Sequence, residues 1–292
     1  MIGLSVVLAL LAALGNAAAS VLQRRGAAEE SGPASASARR GAWVAGLVHR
    51  PVWIWGAALL AVSGLCQAAA LAAGPLSVVQ PVMTTELLFT LVIGGIVFRR
   101  RPDARTWWAF LAMAMGLAVF LALLEPSGER ATVPGVRWVW TAVGVATVVV
   151  ALVAVSPRLP SAPRAAVLGT ATALGFACTA ALIKDATGRL DEGVAALFAA
   201  WQLYTAIAVG LGSFLLLQVT LRAGTLVASQ PALTLGDALL SVVLGAVLFG
   251  EHVELGWRTV PEAAALAVLI AGTVQLARSP LLAGEQGKEA AW

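Results

Sequence analysis

The chain has 292 residues, of which 60% are hydrophobic and 12% are charged, with a mean hydropathy of +0.88 and a formal net charge of +4. So few polar side chains cannot cover a water-soluble fold, so the composition predicts an integral membrane protein without a separate soluble domain. The basic residues lie between apolar segments and form no patch with interleaved aromatics, so nucleic acid is not an expected partner. Cys66 and Cys178 both fall within apolar segments, and neither a disulfide nor a zinc site is predicted.

Membrane-spanning helices are predicted from the apolar segments, because a bilayer core needs roughly 20 apolar residues per helix. No basic region precedes the first segment and Arg24 and Arg25 follow it, which predicts a retained helix rather than a cleaved signal peptide. Residues 41–48 are too short to span, and whether they insert is left open. The nine predicted spans are residues 2–22, 51–73, 75–98, 104–124, 136–155, 163–183, 193–217, 222–249 and 259–277.

The loops predict the orientation, because cytoplasmic loops carry an excess of Lys and Arg. With nine spans, 14 of the 19 basic residues fall on one side, in the loops after the first, third, fifth and seventh segments and in the tail. This pattern predicts a multi-pass protein of the cytoplasmic (plasma) membrane with its N-terminus outside and its C-terminus in the cytoplasm.

Two stretches of the chain repeat each other. Gln80-Pro81 and Gln230-Pro231 are offset by 150 residues, as are Ala73-Gly74 and Ala223-Gly224. Because one odd helix separates the copies, the second copy enters the membrane from the opposite side. The predicted fold is therefore an all-α integral membrane protein whose nine transmembrane helices form two inverted four-helix repeats joined by one connecting helix. The predicted divisions are 1–124 for the first repeat, 136–155 for the connecting helix, 163–277 for the second repeat and 278–292 for the cytoplasmic tail.

Each repeat carries an acid near the centre of an apolar segment, Glu86 in the third and Asp237 in the eighth. A charged residue at the bilayer centre costs roughly 2.5–3.5 kcal/mol on insertion scales, so such an acid is a candidate for a pathway or ligand role. The alternative is structural, because a protonated acid can also form a hydrogen bond with a neighbouring helix. The two acids could equally serve as proton-binding sites or as the counter-ions of a bound amine.

Other polar residues accompany the two acids. Gln230, Thr234, Asp237 and Ser241 follow a helical spacing that puts them on one face. The prolines remove backbone donors and bend helices, as in transporter sites. The predicted substrate- or ion-binding residues are Glu86, Asp237, Gln80, Gln230, Thr84 and Thr234, with Pro81 and Pro231 as helix-shaping residues. The weaker candidates, explained equally by helix packing, are Asn16, Ser20, Gln67, Gln202 and Tyr204. Lys184 and Asp185 are interpreted as a local ion pair at the membrane surface.

The motifs of nucleotide-driven motors and of common hydrolases are missing, so we expect neither an enzyme nor a cofactor. The expected partners are a small-molecule or cation substrate and the lipid bilayer, with a homodimer left open.

Two short motifs resemble a known family. Residues 20–26, Ser-Val-Leu-Gln-Arg-Arg-Gly, and residues 74–81, Gly-Pro-Leu-Ser-Val-Val-Gln-Pro, are similar to stretches of the NIPA-type magnesium transporter family within the drug/metabolite transporter superfamily. The resemblance implies nine helices and a transport function. One departure concerns magnesium: the glutamate that the family carries in its second helix falls on Gly64, and its asparagine falls on Gln67.

The leading functional hypothesis is a secondary transporter that moves a small solute, of metabolite, amine or amino acid type, by alternating access. A divalent-cation transporter or channel of the NIPA type, with Glu86 and Asp237 as metal ligands, is the alternative within transport. A non-transporting membrane protein that binds lipid or a partner helix is the alternative from another class.

Overall fold

The structure is a computed structural model. It describes residues 2–30, 51–97, 132–223 and 226–251, together with isolated residues between 108 and 119 and between 264 and 271. The described part of the chain is 92% helical and contains no strand. Its α-helices are α1 (Ile2–Glu30), α2 (Pro51–Ala73), α3 (Leu76–Met83), α4 (Glu86–Val97), α5 (Gly135–Val155), α6 (Ser161–Thr187), α7 (Val194–Ala199), α8 (Trp201–Ala223) and α9 (Leu226–Leu244).

Seven helical spans in the described residues are long and apolar enough to cross a membrane. They coincide with the first, second, third, fifth, sixth, seventh and eighth predicted segments, which confirms an all-helical protein with the make-up of a membrane protein. The predicted segments 104–124 and 259–277 and the short piece 41–48 lie wholly or mostly outside the described residues. We refer below to α1–α4 as the first half and to α6–α9 as the second half.

Proline and threonine divide the third predicted span into two helices. The Gly74-Pro75 turn ends α2, because a proline disfavours helical backbone at the residue before it. The chain then forms α3, which contains Pro81, and α4 begins at Glu86. In the two-residue break, the hydroxyls of Thr84 and Thr85 donate to the carbonyls of Pro81 (2.6 Å) and Val82 (2.7 Å). The prediction of one span over 75–98 is confirmed, because Leu76–Val97 is a single stretch long and apolar enough to cross a membrane, and the break is a local feature within it.

In the second half α9 continues through Pro231 without a break. It widens only at its end, where residues Gly245–Phe249 form a π-helical turn. The turn stops at Gly250, whose φ of 66° and ψ of 30° are left-handed values that glycine adopts without steric cost. This ending directs the next residue, Glu251, back into the protein, where it is buried.

The interior is built from α3 and α6. Leu76–Met83 are all buried, and α6 packs against α8, α9 and α5. In the first half, α1 packs against α2, α3 and α4, while α3 also packs against α9 of the second half. Helix α5, which the sequence predicted as the connecting helix, lies on the outside, with Trp138 as its buried residue.

The two halves share one helix crossing. A Cβ built on Gly15 of α1 would lie 3.0 Å from the Cβ of Ser63 in α2, and a Cβ on Gly175 of α6 would lie 3.0 Å from the Cβ of Ser213 in α8. The glycines are 160 residues apart and the serines 150. Small residues let membrane helices approach closely, and here the same kind of glycine–serine contact joins α1 to α2 in the first half and α6 to α8 in the second.

Buried polar groups attach the connecting helix to the second half. Asp185 of α6 has no exposed surface, and its carboxylate accepts hydrogen bonds from Trp138 Nε1 (2.6 Å), Gln202 Nε2 (3.0 Å) and the backbone N–H of Val133 (3.0 Å). Lys184 is 3% exposed and forms an ion pair with Glu251. The prediction of an ion pair between Lys184 and Asp185 at the membrane surface is therefore wrong, because both side chains turn inward to partners distant in sequence.

Candidate functional site

A cavity of about 470 Å³ lies between the two halves. Residues from α1, α2, α3, α4, α6, α8 and α9, and from the break between α3 and α4, line it. Of the side chains predicted to bind substrate or ions, the cavity brings together five: Gln80, Thr84, Glu86, Thr234 and Asp237. The sixth, Gln230, and Pro231, which was predicted to shape its helix, have side chains outside the described part of the structure.

Glu86 comes from the first half and is held by a chain of hydrogen bonds. It is the first residue of α4, where the backbone N–H groups of a helix start favour negative charge. Asn16 Nδ2 of α1 donates to Glu86 Oε2 over 3.2 Å. Ser63 Oγ lies 2.6 Å from Asn16 Oδ1 and can donate to it, and it lies 2.6 Å from the carbonyl of Ala12 as well. The contact with Ser63 orients the Asn16 amide so that its NH₂ faces Glu86.

Asp237 reaches the same cavity from the second half and is held less firmly. Its Oδ1 is buried and has no hydrogen-bond partner within the described part of the chain. Thr234, three residues earlier on α9, also lines the cavity. The position that corresponds to Asn16, at the offset of 160 that relates Gly15 to Gly175, holds Phe176, which lines the cavity and offers no hydrogen bond. Asp237 is thus the less restrained of the two acids.

Gln80 and Thr84 add neutral polar atoms beside the acids. The Gln80 side chain is 2% exposed, and its Nε2 finds no hydrogen-bond acceptor among the described residues. A buried amide donor without a partner costs about 1–3 kcal/mol, so Gln80 offers a donor to a ligand. The Thr84 hydroxyl already donates to Pro81, so it presents only its oxygen as an acceptor.

The remaining sequence candidates divide between the cavity and helix packing. Asn16, Ser20 and Gln67 line the cavity. Gln202 packs against Asp185 through its amide, as a packing role predicts, and Tyr204 donates to the carbonyl of Phe198. Ser241, predicted on the same face as Asp237, is fully buried and is not among the described lining residues. The sequence reasoning missed Ser63, Phe176 and Phe214, since serine and phenylalanine in an apolar helix give no signal by themselves.

Among the described residues, the ionisable side chains that line the cavity are both acids. Among the described residues that line the cavity, Glu86 and Asp237 are acidic and none is Lys or Arg. The rest of the lining is about half apolar, and it includes the rings of Phe176 and Phe214. Within the described residues, no group of three or more His, Cys, Asp or Glu side chains is arranged to hold a metal ion.

These features define a class: a helical protein with the make-up of a membrane protein and an acidic, partly aromatic cavity between two sets of helices. The chain is 28% identical over 233 residues to an uncharacterized protein from Corynebacterium glutamicum, an alignment that covers 78% of this chain and 80% of the relative. No protein-family model matches the chain. No solved structure matches it significantly.

Proposed function

We propose that the chain is a secondary transporter of the drug/metabolite type that moves a small organic cation across the cytoplasmic membrane by alternating access. One observation carries this proposal: each half contributes one carboxyl to a single cavity at their interface. Secondary transporters bind their substrates between structural repeats, near the middle of the membrane, and often at broken helices. The break before Glu86 is such a feature.

The cavity lining favours an organic cation as the substrate. Two acids without a basic residue among the described lining side chains favour a ligand that brings positive charge. The apolar half of the wall suits hydrocarbon, and Phe176 and Phe214 offer aromatic faces to an ammonium group. The unpaired Gln80 Nε2 would donate to an acceptor oxygen on the same ligand. Amines and amino acids with a cationic side chain have this combination.

The proposed architecture follows the repeat. Two inverted four-helix repeats with a connecting helix, nine spans in all, would place the N-terminus outside and the C-terminus in the cytoplasm. The paired contacts of Gly15 with Ser63 and of Gly175 with Ser213 support the duplication on which this arrangement rests.

Magnesium is the second candidate substrate. Mg²⁺ binds oxygen ligands and usually keeps several waters, with one or two protein carboxylates. Glu86, Asp237 and the oxygens of Gln80 and Thr84 lie in one cavity, and that set of donors favours a hydrated divalent ion. The apolar half of the lining makes an organic cation the better fit.

Uptake by proteoliposomes tests the proposal. Vesicles carrying a trapped Mg²⁺ indicator would be offered radiolabelled putrescine, choline and arginine in parallel. The proposal expects saturable uptake of at least one organic cation. Mg²⁺ entry without uptake of any of the three would favour the second candidate, and flux of neither kind through folded protein would contradict transport of cations by this site.

A further inference from the structure

A buried ion pair of the second half holds one end of the first half in place. Lys184 Nζ of α6 lies 3.3 Å from Glu251 Oε1, and both side chains are 3% exposed. Lys184 lies over the ring of Phe249, 5.1 Å from its centroid. Lys184 belongs to α6, and Glu251 is the second residue after the π-helical turn that follows α9.

Both partners of this ion pair also bind backbone of the first half. Glu251 Oε1 accepts a hydrogen bond from the N–H of Leu76 (2.8 Å), and Oε2 accepts one from the N–H of Ser77 (2.9 Å). Lys184 Nζ donates to the carbonyl of Gly74 (2.8 Å). We call the five residues Gly74, Leu76, Ser77, Lys184 and Glu251 the inter-half clasp.

The clasp supplies a cap that the first half lacks. The first N–H groups of a helix have no partner within the helix, and a side chain of the preceding residue commonly accepts from them. Before α3 that residue is Pro75, which makes no side-chain capping bond. The Glu251 carboxylate, at the positive end of α3, takes over this role from the opposite half. Gly245 makes room for it, since a Cβ there would overlap Glu251 Oε2.

The clasp lies at one end of the cavity. Gln80, one turn after Leu76, and Ile183, directly before Lys184, both line the cavity. Residues 188–193 connect α6 to α7. The clasp lies on the same side of the helices as this 188–193 connection, because Lys184 is near the C-terminal end of α6. When the two halves meet through the clasp, this end of the cavity is closed by buried side chains and backbone.

The chemistry of the clasp suits a contact that opens and closes. The attraction of a buried ion pair is largely offset by the loss of hydration of both charges, so such a pair adds little net stability. If the halves separate here, Lys184, Glu251 and the N–H groups of Leu76 and Ser77 all regain water. The ion pair itself therefore favours neither arrangement strongly, and the preference for the closed form comes from the hydrogen bonds that its two charged groups make with Gly74, Leu76 and Ser77.

We propose that the clasp is the gate that closes the cavity on the side of the 188–193 connection. The inference rests on the proposed alternating access. It concerns the side of the membrane from which water reaches the cavity, and this accessibility is measurable without any substrate. Neutralising the clasp shifts the population toward the form that is open on that side.

Thiol labelling from each side of the membrane tests the gate. The probe is Ala180→Cys, at a position that lines the cavity, in a background with Cys66→Ala and Cys178→Ala. An exposed reporter, Asp191→Cys in a separate protein, identifies the side of the 188–193 connection. A membrane-impermeant maleimide is added to one side at a time, with a quencher on the other. With the clasp intact, Ala180→Cys should react more slowly from the Asp191 side than from the opposite side, and the reverse order would overturn the proposal.

The decisive variants are Glu251→Gln and the double variant Lys184→Met/Glu251→Gln. Either should raise labelling of Ala180→Cys from the Asp191 side by about tenfold or more, because both weaken the charge-assisted hydrogen bonds that favour the closed form. Thr172→Val is the matched control, because it removes a buried contact within one half, the 3.0 Å contact between Thr172 and Thr220. An unchanged rate in the double variant, or an equal rise in the control, would overturn the proposal.

Two further outcomes separate this proposal from the proposed function. If Glu251→Gln does not fold because the Lys184 charge is left buried without its counter-ion, the double variant decides. A double variant that does not fold contradicts the proposal, because a gate must tolerate the loss of the clasp contacts when it opens. If labelling shifts as expected but no cation is transported, the gate is supported and the proposed function is contradicted. If a cation is transported but labelling does not shift, the proposed function is supported and the gate is contradicted.

Discussion

Asn16 and Glu86 lie 70 residues apart in the chain, and Asn16 Nδ2 donates a hydrogen bond to Glu86 Oε2 over 3.2 Å. The contact fixes one acid of the cavity, whereas Asp237 on the other half has an oxygen without a described partner. The two carboxyls are therefore unequal, with Glu86 oriented in advance and Asp237 available to adapt to a ligand.

Asn16→Ala should weaken cation binding without abolishing transport. A hydrogen bond to a charged group contributes about 1.5–3 kcal/mol, so we expect the KM for the transported cation to rise about tenfold or more, with kcat changed less. Uptake kinetics in proteoliposomes measure both constants. Ser20→Ala, on the same face of α1 and in the same cavity, is the matched control and should change KM less than twofold. An Asn16→Ala protein with the wild-type KM would show that Asn16 does not position Glu86 for the ligand.

Gly175→Ala should destabilise the second half, because the added Cβ would overlap Ser213 Oγ. Overpacking a tight contact costs about 1–3 kcal/mol, and thermal unfolding in detergent should show a lower Tm. Gly175→Ala/Ser213→Gly should recover most of the loss, since the second change removes the obstructing hydroxymethyl group. Gly144→Ala on α5, where nothing lies within 4 Å of the new Cβ, should leave Tm unchanged. A double variant as unstable as Gly175→Ala would contradict the close helix approach.

Asp185→Ala should loosen the connecting helix from the second half. It leaves Trp138 Nε1, Gln202 Nε2 and the N–H of Val133 without their acceptor, at about 1–3 kcal/mol for each buried donor. Gln202→Met removes one donor together with an Oε1 that has no partner among the described residues, so its cost should be much smaller. Denaturation followed by tryptophan fluorescence compares the two. Equal losses of stability would mean that Asp185 does not hold the three donors together.

Cysteines at Thr84 and Thr234 test whether the cavity meets water. Both residues line it, one from each half, so Thr84→Cys and Thr234→Cys should react with a water-soluble thiol reagent, and an excess of the transported cation should slow the reaction. Thr172→Cys, at a fully buried position within the second half, is the control and should stay unreactive. If the two cavity cysteines are as inert as the control, the cavity is closed to solvent, and the reading as a non-transporting protein that binds lipid or a partner helix gains support.

The sequence predicts the spans and the acids well because both signals are local. Apolar runs of helical length locate all seven described spans, and an acid inside such a run stands out by itself. The repeated Gln-Pro pairs indicated that Glu86 and Asp237 belong to corresponding helices, and both acids line the cavity. The two prolines differ in their effect on the helix, however: α3 ends soon after Pro81, whereas α9 continues past Pro231.

Contacts between distant segments were not readable from the pattern. Lys184 and Asp185 look like a surface pair because adjacent opposite charges near the end of an apolar run usually lie in solvent. The partner of Lys184 is Glu251, 67 residues further along the chain, and Asp185 accepts a hydrogen bond from Trp138 near the start of α5. Likewise, Ser63 gains its role only through the crossing of α1 and α2, where it lies against Asn16. Such partners depend on packing, which helical periodicity does not encode.

In the proposed function, the carboxyls of Glu86 and Asp237 together bind the small organic cation that is transported. The most direct test measures saturable uptake of radiolabelled putrescine, choline and arginine by proteoliposomes holding wild type, the double variant Glu86→Gln/Asp237→Asn, or Glu192→Gln, a matched exposed acid outside the cavity. We predict uptake of at least one cation by wild type and by Glu192→Gln, and its loss from a double variant that folds normally. Uptake by the double variant at the wild-type rate would contradict the account.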